Sequence, residues 1–412
     1  MADIERELGY SLYTLDDLHD VEGARVLTRC DYNVGFNEDG NIDDTTRIDA
    51  STKTIQDLRD AGAKVILMSH LGRPKENEPE FSLRPVADYL SNILGITVGF
   101  VKDFSEDELE KIGKMSPRDV VLLENLRYDK REKKNDKVFI EGLAKLGMIY
   151  VNDSFGTAHN GTDASTIGLP EYFKKHHRQV AAGRLMVDEI HMLAGLLNPQ
   201  GYPVAVIGGA KVSDKVGVIN ELVKRYKLCI VGAMANTFLK AQYIGVGNSF
   251  YEEDSVETAR ILMGHYTIAT PIDVVVATAK NVDQVRNGNY SDVRTVNLDR
   301  GEKVNQEEMI LDIGPRTAEL YARELGKAGT IAWNGPAGVF EIDDFAKGSD
   351  GILRAIAESA EAVLKVAGGG ETLRAIHGNP YANELKISTG GGAMLQFIEK
   401  RGMLPGIIAL RK

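Results

Sequence analysis

The chain has 412 residues, which at ~150 residues per domain predicts two or three domains. Asp and Glu outnumber Lys and Arg by 60 to 49, and the formal charge of −11 argues against a protein that binds nucleic acid through a basic face. The acidic N-terminus is not expected to be a signal peptide, and no run of about 18 uncharged apolar residues predicts a membrane span. Cys30 and Cys229 form no CxxC motif, so a cytoplasmic protein without a disulfide framework is expected.

In the first half of the chain, short apolar runs alternate with longer amphipathic segments. The predicted strands are Arg25–Thr28, Lys64–Met68, Ile96–Val101, Asp119–Leu123 and Met148–Val151. The segments Arg47–Ala61 and Leu83–Leu94 predict helices. Strands that are apolar on both faces and alternate with helices are typical of parallel sheets covered by helices.

The second half repeats this alternation. Its predicted strands are Pro203–Ile207, Leu228–Val231, Asp273–Ala277, Met309–Ile313, Thr330–Trp333 and Val363–Ala367. Helices are predicted at Thr317–Leu325 and Gly351–Leu364. Ten or more strands are many for one twisted open sheet, so the sequence predicts an α/β fold with two doubly wound, Rossmann-like parallel sheets in two domains.

The segment Gln179–Leu197 is rich in Ala, Leu and Met at helical spacing, and Asn198-Pro199 ends it. It predicts either a helix that joins the two domains or one more helix packed on a sheet. Both interpretations fit the pattern.

Most of the predicted strands run directly into polar or glycine-rich clusters, and ligands of open α/β sheets bind at the carboxyl ends of the strands. In the first half these clusters are cationic. The candidate residues are Asp31, Asn33, Arg47, His70, Arg73 and Arg127. Arginine side chains bind phosphate and carboxylate in a bidentate manner, so this set favours a small anionic metabolite over the alternative of solvated surface arginines.

In the second half the clusters are glycine-rich, as in Gly208–Lys215, Gly368–Thr372 and Gly390–Gly392. Backbone N–H groups at helix N-termini bind phosphates, and Lys211 and Lys215 would share one face of an opening helix. These features predict a polyphosphate site. Together the two halves indicate a kinase of a small metabolite, with one substrate on each domain.

The segments CDYNV, SHLGRP, LENLR, YVNDSFGTAH, GGAKVSDK, WNGPAGVFE, GGGET and STGGGA, in this order, resemble the phosphoglycerate kinase family, in an archaeal-like form. The resemblance implies a bilobal kinase that interconverts 1,3-bisphosphoglycerate and ADP with 3-phosphoglycerate and ATP, uses Mg²⁺, and acts as a monomer in glycolysis and gluconeogenesis. It also implies that residues 1–180 bind 3-phosphoglycerate, with a tail of about 400–412 packed back on them. Residues 181–399, including a helix at about 180–197, would bind the nucleotide.

The resemblance also implies roles for individual residues. The triose would be bound by Asp31, Asn33, Arg47, His70, Arg73 and Arg127. The nucleotide would be bound by Gly209, Ala210, Lys211, Lys215, Gly232, Asn334, Pro336, Glu341, Gly369, Gly370, Glu371 and Thr372. The catalytic groups would be Arg47, Lys211, Lys215, Gly370 and Gly392, and Glu371 is the candidate Mg²⁺ ligand.

Three positions depart from the family pattern. Gly35 replaces a proline, and Glu371 replaces a Mg²⁺-associated aspartate. Asn160 replaces an arginine that grips the triose phosphate, and Arg178 is the candidate for a replacement cation. Asn160 motivates a second hypothesis, an acyl-phosphate kinase for a different small carboxylate. A third is a catalytically weak binding protein, which the retention of Arg47 and Lys215 argues against.

Overall fold

The computed structural model describes residues 5, 7–37, 40–265 and 267–412. It divides into two compact units. Unit 1 comprises Met1–Ala194 and Lys400–Lys412, and unit 2 comprises Gly195–Glu399.

Unit 1 is built on a six-stranded parallel sheet with the strand order β3-β4-β2-β1-β5-β6. Its strands are β1 (Arg25–Arg29), β2 (Lys64–Met68), β3 (Val98–Val101), β4 (Val120–Leu123), β5 (Ile149–Asn152) and β6 (Val180–Ala182). From β1 the chain continues to β2 on one side of β1 in the sheet, and from β5 it continues to β6 on the opposite side. The point at which the strand order reverses therefore lies between β1 and β5, where open α/β sheets bind ligands.

Helices cover this sheet because its strands are apolar on both faces. They span Thr46–Asp60, Arg84–Leu94, Glu106–Gly113, Lys137–Ala144, Leu169–Lys175, Arg184–Leu197 and Pro405–Ile408. The core includes Val26, Val65 and Leu67 of the central strands, all without solvent exposure.

The strand β6 and the start of the helix Arg184–Leu197 lie where the sequence analysis predicts one continuous helix. The apolar residues Val180–Ala182 are also compatible with a strand, and they pair with β5. Two side chains of unit 1 accept hydrogen bonds from the first turn of this helix. Thr54 Oγ1 accepts from Arg184 N at 2.8 Å, and Asp153 Oδ1 accepts from Met186 N at 3.2 Å. The boundary between the two units falls inside this helix, at 194/195.

The C-terminal residues Lys400–Lys412 belong to unit 1. Arg411 forms an isolated antiparallel bridge with Leu12, and Tyr10 Oη donates to the Gly402 carbonyl at 2.8 Å. Gly406 N donates to the Ala158 carbonyl at 2.8 Å. A Cβ at Gly406 would lie 2.9 Å from Ala158 Cα, so this close approach requires glycine.

Unit 2 contains a second six-stranded parallel sheet, in the order β15-β14-β13-β7-β8-β9. Its strands are β7 (Pro203–Ile207), β8 (Lys227–Ile230), β9 (Ile268–Ala269), β13 (Thr330–Asn334), β14 (Leu364–Gly368) and β15 (Lys386–Ser388). Here the strand order reverses between β7 and β13. The two parallel sheets confirm the predicted α/β class with two doubly wound sheets.

The helices of unit 2 follow its strands. They span Val216–Leu222, Met234–Ala241, Val256–His265, Val282–Arg286, Pro315–Leu325, Lys347–Ala357, Gly370–Ile376 and Gly392–Glu399. The core contains Trp333, which is fully buried and whose Nε1 donates to the Gly335 carbonyl at 2.8 Å. Within the described residues of both units, no helix has the length and apolarity needed to cross a membrane.

A three-stranded antiparallel sheet in the order β11-β10-β12 adds to unit 2 and is absent from the sequence prediction. Its strands are β10 (Asp273–Thr278), β11 (Ser291–Asn297) and β12 (Glu308–Ile313). The sequence analysis predicts β10 and β12 as members of a parallel sheet. It predicts no strand at β11, because this edge strand exposes most of its residues and has no apolar run.

Candidate active site

In unit 1, the loop after β1 and the loop after β2 hold three of the predicted triose ligands together. Arg47 Nη1 donates to the Asn33 carbonyl at 2.8 Å and lies 3.6 Å from Asp31 Oδ2. Asn33 Oδ1 in turn accepts from Gly72 N at 2.8 Å. The positive φ of 59° at Gly72 favours glycine in this loop.

Arg127 approaches the same loop from the turn after β4. Its Nη1 donates to the Gly72 carbonyl at 2.7 Å, and burial lowers the pKa of its guanidinium. Its Nε is buried without a partner. Arg73 follows Gly72 directly and is exposed to solvent.

His70 is 4% exposed at the carboxyl end of β2. Its Nδ1 lies 3.0 Å from Arg29 Nη2. Burial, followed by the charges of Arg29, Arg127, Arg47 and Lys133, lowers the pKa of His70 well below its usual range. His70 is therefore a neutral imidazole that lies among cations.

In unit 2, Lys215 connects the ends of β7 and β13 at the point where the strand order reverses. Its Nζ donates to the Gly208 carbonyl and to Asn334 Oδ1. Asn334 Nδ2 donates to the Gly368 carbonyl at 2.7 Å, which brings the end of β14 to the same place. Burial lowers the pKa of Lys215 to about 8, although the charges of Glu371 and Asp214 oppose this shift.

Glycines allow these strand ends to approach one another. A Cβ at Gly335, where φ is 101°, would lie 2.4 Å from the Gly208 carbonyl carbon. A Cβ at Gly232, where φ is 66°, would lie 2.9 Å from Gly209 N. Larger side chains at these two positions would separate the loops that surround Lys215.

Beside these loops lies a cavity of about 360 Å³, within the size range of small-molecule sites. Its walls are largely apolar and include Leu239, Phe250, Met309 and Leu311. Six residues predicted to bind the nucleotide line it. They are Gly209, Ala210, Gly232, Pro336, Glu341 and Glu371. A cavity with apolar walls and a glycine-rich rim suits a flat heterocycle carrying phosphates.

The loop residues after β14 complete this rim. Gly369, with φ of 102°, precedes the helix Gly370–Ile376. Thr372 Oγ1 accepts from Gly335 N at 2.7 Å and so fixes the helix to the loop after β13. Glu371 is exposed in the first turn of this helix. Gly392 begins the next helix, and a Cβ there would meet no atom within 4 Å.

Comparison with known proteins identifies the family. The sequence model described as phosphoglycerate kinase matches residues 15–401. The chain belongs to the phosphoglycerate kinase family. It is 42% identical to a phosphoglycerate kinase of Chloroflexus aggregans over 95% of this chain and 97% of that protein. It is 41% identical to one of Clostridium perfringens over 98% of this chain and 99% of that protein.

Solved structures of phosphoglycerate kinases share the fold. The structure from Coxiella burnetii gives a TM-score of 0.82 at 35% identity and covers 97% of this chain and 99% of that one. The structure from Pyrococcus horikoshii gives a TM-score of 0.80 at 30% identity, and the match covers 97% of this chain and 98% of that one. The chain is therefore a phosphotransferase, and 3-phosphoglycerate and ATP or ADP are its small-molecule substrates.

Two expectations about cations in this chain are wrong. Lys211 and Lys215 do not share a helix face, because the helix begins only at Val216, and Lys211 is exposed in the preceding turn. Arg178 does not replace the missing guanidinium. It precedes β6, at the opposite edge of the sheet from the strand carboxyl ends, and donates to the Ala144 and Gly147 carbonyls at 2.8 and 3.3 Å.

The sequence analysis also omits a buried polar network behind His70. Arg29 Nε donates to Ser165 Oγ at 2.9 Å, and Ser165 Oγ donates to Glu132 Oε1 at 2.6 Å. Ser165 N donates to the other oxygen of Glu132 at 3.0 Å. An arginine at the end of an apolar strand is the signal that could have revealed Arg29, since such a residue is rarely buried without partners.

Among the described residues, no three His, Cys, Asp or Glu side chains are grouped closely enough to hold a metal ion. The carboxylate side chains of Asp312, Glu341 and Glu371 line the cavity.

Proposed function

We propose that unit 1 binds 3-phosphoglycerate and unit 2 binds ATP or ADP in the phosphoglycerate kinase reaction. The family match over residues 15–401 carries this proposal. The cationic loops of unit 1 suit a small acid with a phosphate, and the glycine-rich rim and apolar cavity of unit 2 suit a nucleotide. The comparisons do not favour the hypothesis of a different small carboxylate.

In the direction of ATP use, a carboxylate oxygen of 3-phosphoglycerate attacks the γ-phosphorus. The bond from that phosphorus to the β,γ-bridging oxygen breaks, and ADP leaves with the electron pair. The acceptor carboxylate is already ionised, so no general base and no covalent enzyme intermediate are needed. The residues must therefore position the two substrates and neutralise charge.

Arg47 and Lys215 are the cations that we assign to the transferring phosphoryl group. Arg47 is held by the Asn33 carbonyl and Lys215 by Asn334, so each side chain is oriented before substrates bind. The backbone N–H groups of Gly370 and Gly392 and the Lys211 ammonium would contact the nucleotide phosphates. His70, Arg73 and Arg127 would bind the triose, while Asp31 and Asn33 would bind its hydroxyl region.

Glu371 would hold Mg²⁺ together with the nucleotide phosphates. The ion, when bound, neutralises phosphate charge as phosphoryl transfer requires. The longer side chain of glutamate, compared with the family aspartate, reaches one methylene further from the backbone. Glu371 would therefore contact the ion directly or through a water molecule.

We further propose that the protein acts as a cytoplasmic monomer. Cys30 and Cys229 are free and buried, as suits a reducing compartment. The proposed roles use residues of one chain only. The archaeal-like affinity stays a prediction, since the relatives with 41% and 42% identity named above are bacterial and the archaeal structure is 30% identical.

The decisive experiment is a coupled assay of the purified protein with 3-phosphoglycerate, ATP and Mg²⁺, in which 1,3-bisphosphoglycerate is consumed by an NADH-linked dehydrogenase. Turnover should require all three components. Glycerate, which lacks the phosphate, is the matched comparison and should react far more slowly. Equal turnover with both acids would contradict the assignment of unit 1.

A further inference from the structure

Asp163 is the centre of a charged cluster in unit 1, and its side chain is 1% exposed. Lys133 Nζ donates to its Oδ1 at 2.7 Å, and Asn160 Nδ2 donates to its Oδ2 at 3.0 Å. Arg127 Nη2 lies 4.0 Å from the same Oδ2. One carboxylate thus contacts two cations and one neutral amide.

The turn that carries Lys133 is rigidly placed. Its neighbour Glu132 is buried and binds both the backbone N–H and the hydroxyl of Ser165, two residues beyond Asp163. Glu132 therefore binds Ser165, and its neighbour Lys133 binds Asp163, so one turn contacts the other at two points. The backbone that carries Lys133 is therefore held next to the segment that carries Asp163.

The charge of this cluster depends on Lys133. Asp163 offsets one of the two cations, so Arg127 and Lys133 together leave a surplus of one positive charge. Neutral His70 adds none. Lys133 therefore adds its charge to those of Arg127 and Arg47, which also act on this part of unit 1, and a phosphate monoester carries nearly two negative charges at neutral pH.

Donors also remain free for a ligand. An ammonium has three N–H donors, and Lys133 uses one on Asp163, while its side chain is 46% exposed. Arg127 uses Nη1 on Gly72, and its Nε has no partner. The charge of Lys133 also helps to lower the pKa of His70, which indicates that the ammonium lies close to the predicted triose ligands.

We propose that Lys133 is a substrate-binding residue that supplies the positive charge missing at Asn160 and binds the phosphate of the three-carbon acid. Asp163 is the positioning residue that holds Lys133 beside Arg127. This inference rests on the proposed function. It explains how an asparagine is tolerated where the family pattern has an arginine.

The test compares Lys133→Gln with the matched control Lys134→Gln, because Lys134 is an exposed lysine in the same turn. Lys133→Gln should raise KM for 3-phosphoglycerate about tenfold, the worth of one charge-assisted hydrogen bond. Its kcat and its KM for ATP should stay unchanged, because a contact to a non-reacting phosphate stabilises ground state and transition state equally. Lys134→Gln should leave all three constants unchanged.

Two further variants separate a binding role from a structural one. Lys133→Arg keeps the charge and should keep KM near the wild-type value. Asn160→Arg, added to Lys133→Gln, should restore KM for 3-phosphoglycerate, since it returns a cation to the other side of Asp163. A purely structural role for Lys133 predicts instead that Lys133→Gln changes kcat and KM for ATP together with KM for 3-phosphoglycerate.

The outcomes distinguish this inference from the function on which it rests. A wild-type protein that does not turn over 3-phosphoglycerate would refute the proposed function and this proposal with it. If the wild-type protein is active, two results would overturn the role of Lys133 alone. One is a KM for 3-phosphoglycerate that Lys133→Gln leaves unchanged. The other is a change in kcat and in KM for ATP as large as the change in KM for 3-phosphoglycerate.

Discussion

Arg29 fixes the tautomer of His70. The two side chains are buried in unit 1, with Arg29 Nη2 3.0 Å from His70 Nδ1. A guanidinium can only donate, so Nδ1 is the acceptor and the imidazole proton resides on Nε2. His70 therefore offers an N–H donor, and not a lone pair, on its other side.

His70 should stay neutral in the folded protein well below pH 6.5, the value near which an unperturbed histidine titrates. The reason is that burial and surrounding cations disfavour its protonated form. Titration of the imidazole resonances by NMR checks this. The same resonance in urea-unfolded protein is the control and should titrate near pH 6.5.

The same shift makes stability depend on pH. Because its pKa is lower in the folded than in the unfolded state, the folded protein binds fewer protons below about pH 6.5. Unfolding free energy should therefore decrease as pH falls below that value, by up to ~1.4 kcal/mol per pH unit from this group. His70→Gln should show a shallower acid slope in urea denaturation, and equal slopes would argue against a neutral His70.

Arg47→Ala should lower kcat far more than it raises KM for either substrate. A charge directed at the transferring phosphoryl group acts chiefly in the transition state, and loss of such a group costs on the order of 10²–10³ in rate. Steady-state kinetics give the two constants. Arg84→Ala removes an arginine that is exposed on a helix of the same unit and should change neither. A change in KM alone would make Arg47 a binding residue only.

Lys215→Met should lower kcat by roughly 10²–10³, because it removes the cation that joins the ends of β7 and β13. Lys224→Met removes an exposed lysine of the same unit and should have no effect. A Lys215→Met enzyme with near-normal kcat would exclude a catalytic role for this residue.

Lys215 also predicts a pH dependence for the free enzyme. Its pKa of about 8 means that the ammonium is charged below that pH and loses its proton above it. The ratio kcat/KM for ATP, which reports groups of the free enzyme, should therefore decline above pH 8. A ratio that stays constant up to pH 9.5 would contradict this prediction.

Glu371→Gln should raise the Mg²⁺ concentration needed for half-maximal rate, because an amide is a weaker ligand than a carboxylate for a hard cation. Titration of the rate with Mg²⁺ at fixed ATP measures this. Glu384→Gln, at an exposed position of unit 2, is the control. Identical Mg²⁺ curves for wild type and Glu371→Gln would remove Glu371 from the ion's site.

Sequence patterns predict the parallel sheets well because buried strands are short apolar runs. They fail where local residues permit two structures. Val180–Ala182 is apolar enough for a helix, and pairing with β5 decides for a strand. Ser291–Asn297 has no apolar run, and pairing with Val274 to Val276 of β10 makes it a strand. In both places a tertiary contact overrides local preference.

At the candidate site, motifs locate residues in loops but do not reveal which side chains meet. Lys133 and Asp163 are 30 positions apart, and each alone is an ordinary charged residue. The helix after Lys215 begins later than its lysine spacing predicts, because Lys215 itself is the residue before the first turn. Such pairings follow from how the loops pack and not from residue spacing.

Trp333 is the one tryptophan of the sequence, and its indole is fully buried with Nε1 bound to the Gly335 carbonyl. Its fluorescence therefore reports on unit 2 alone, next to the loop that closes around Lys215. Circular dichroism records the helices of both units. If fluorescence and circular dichroism change at different urea concentrations, the two units unfold separately. The fluorescence of Trp333 then shows at which urea concentration unit 2 unfolds.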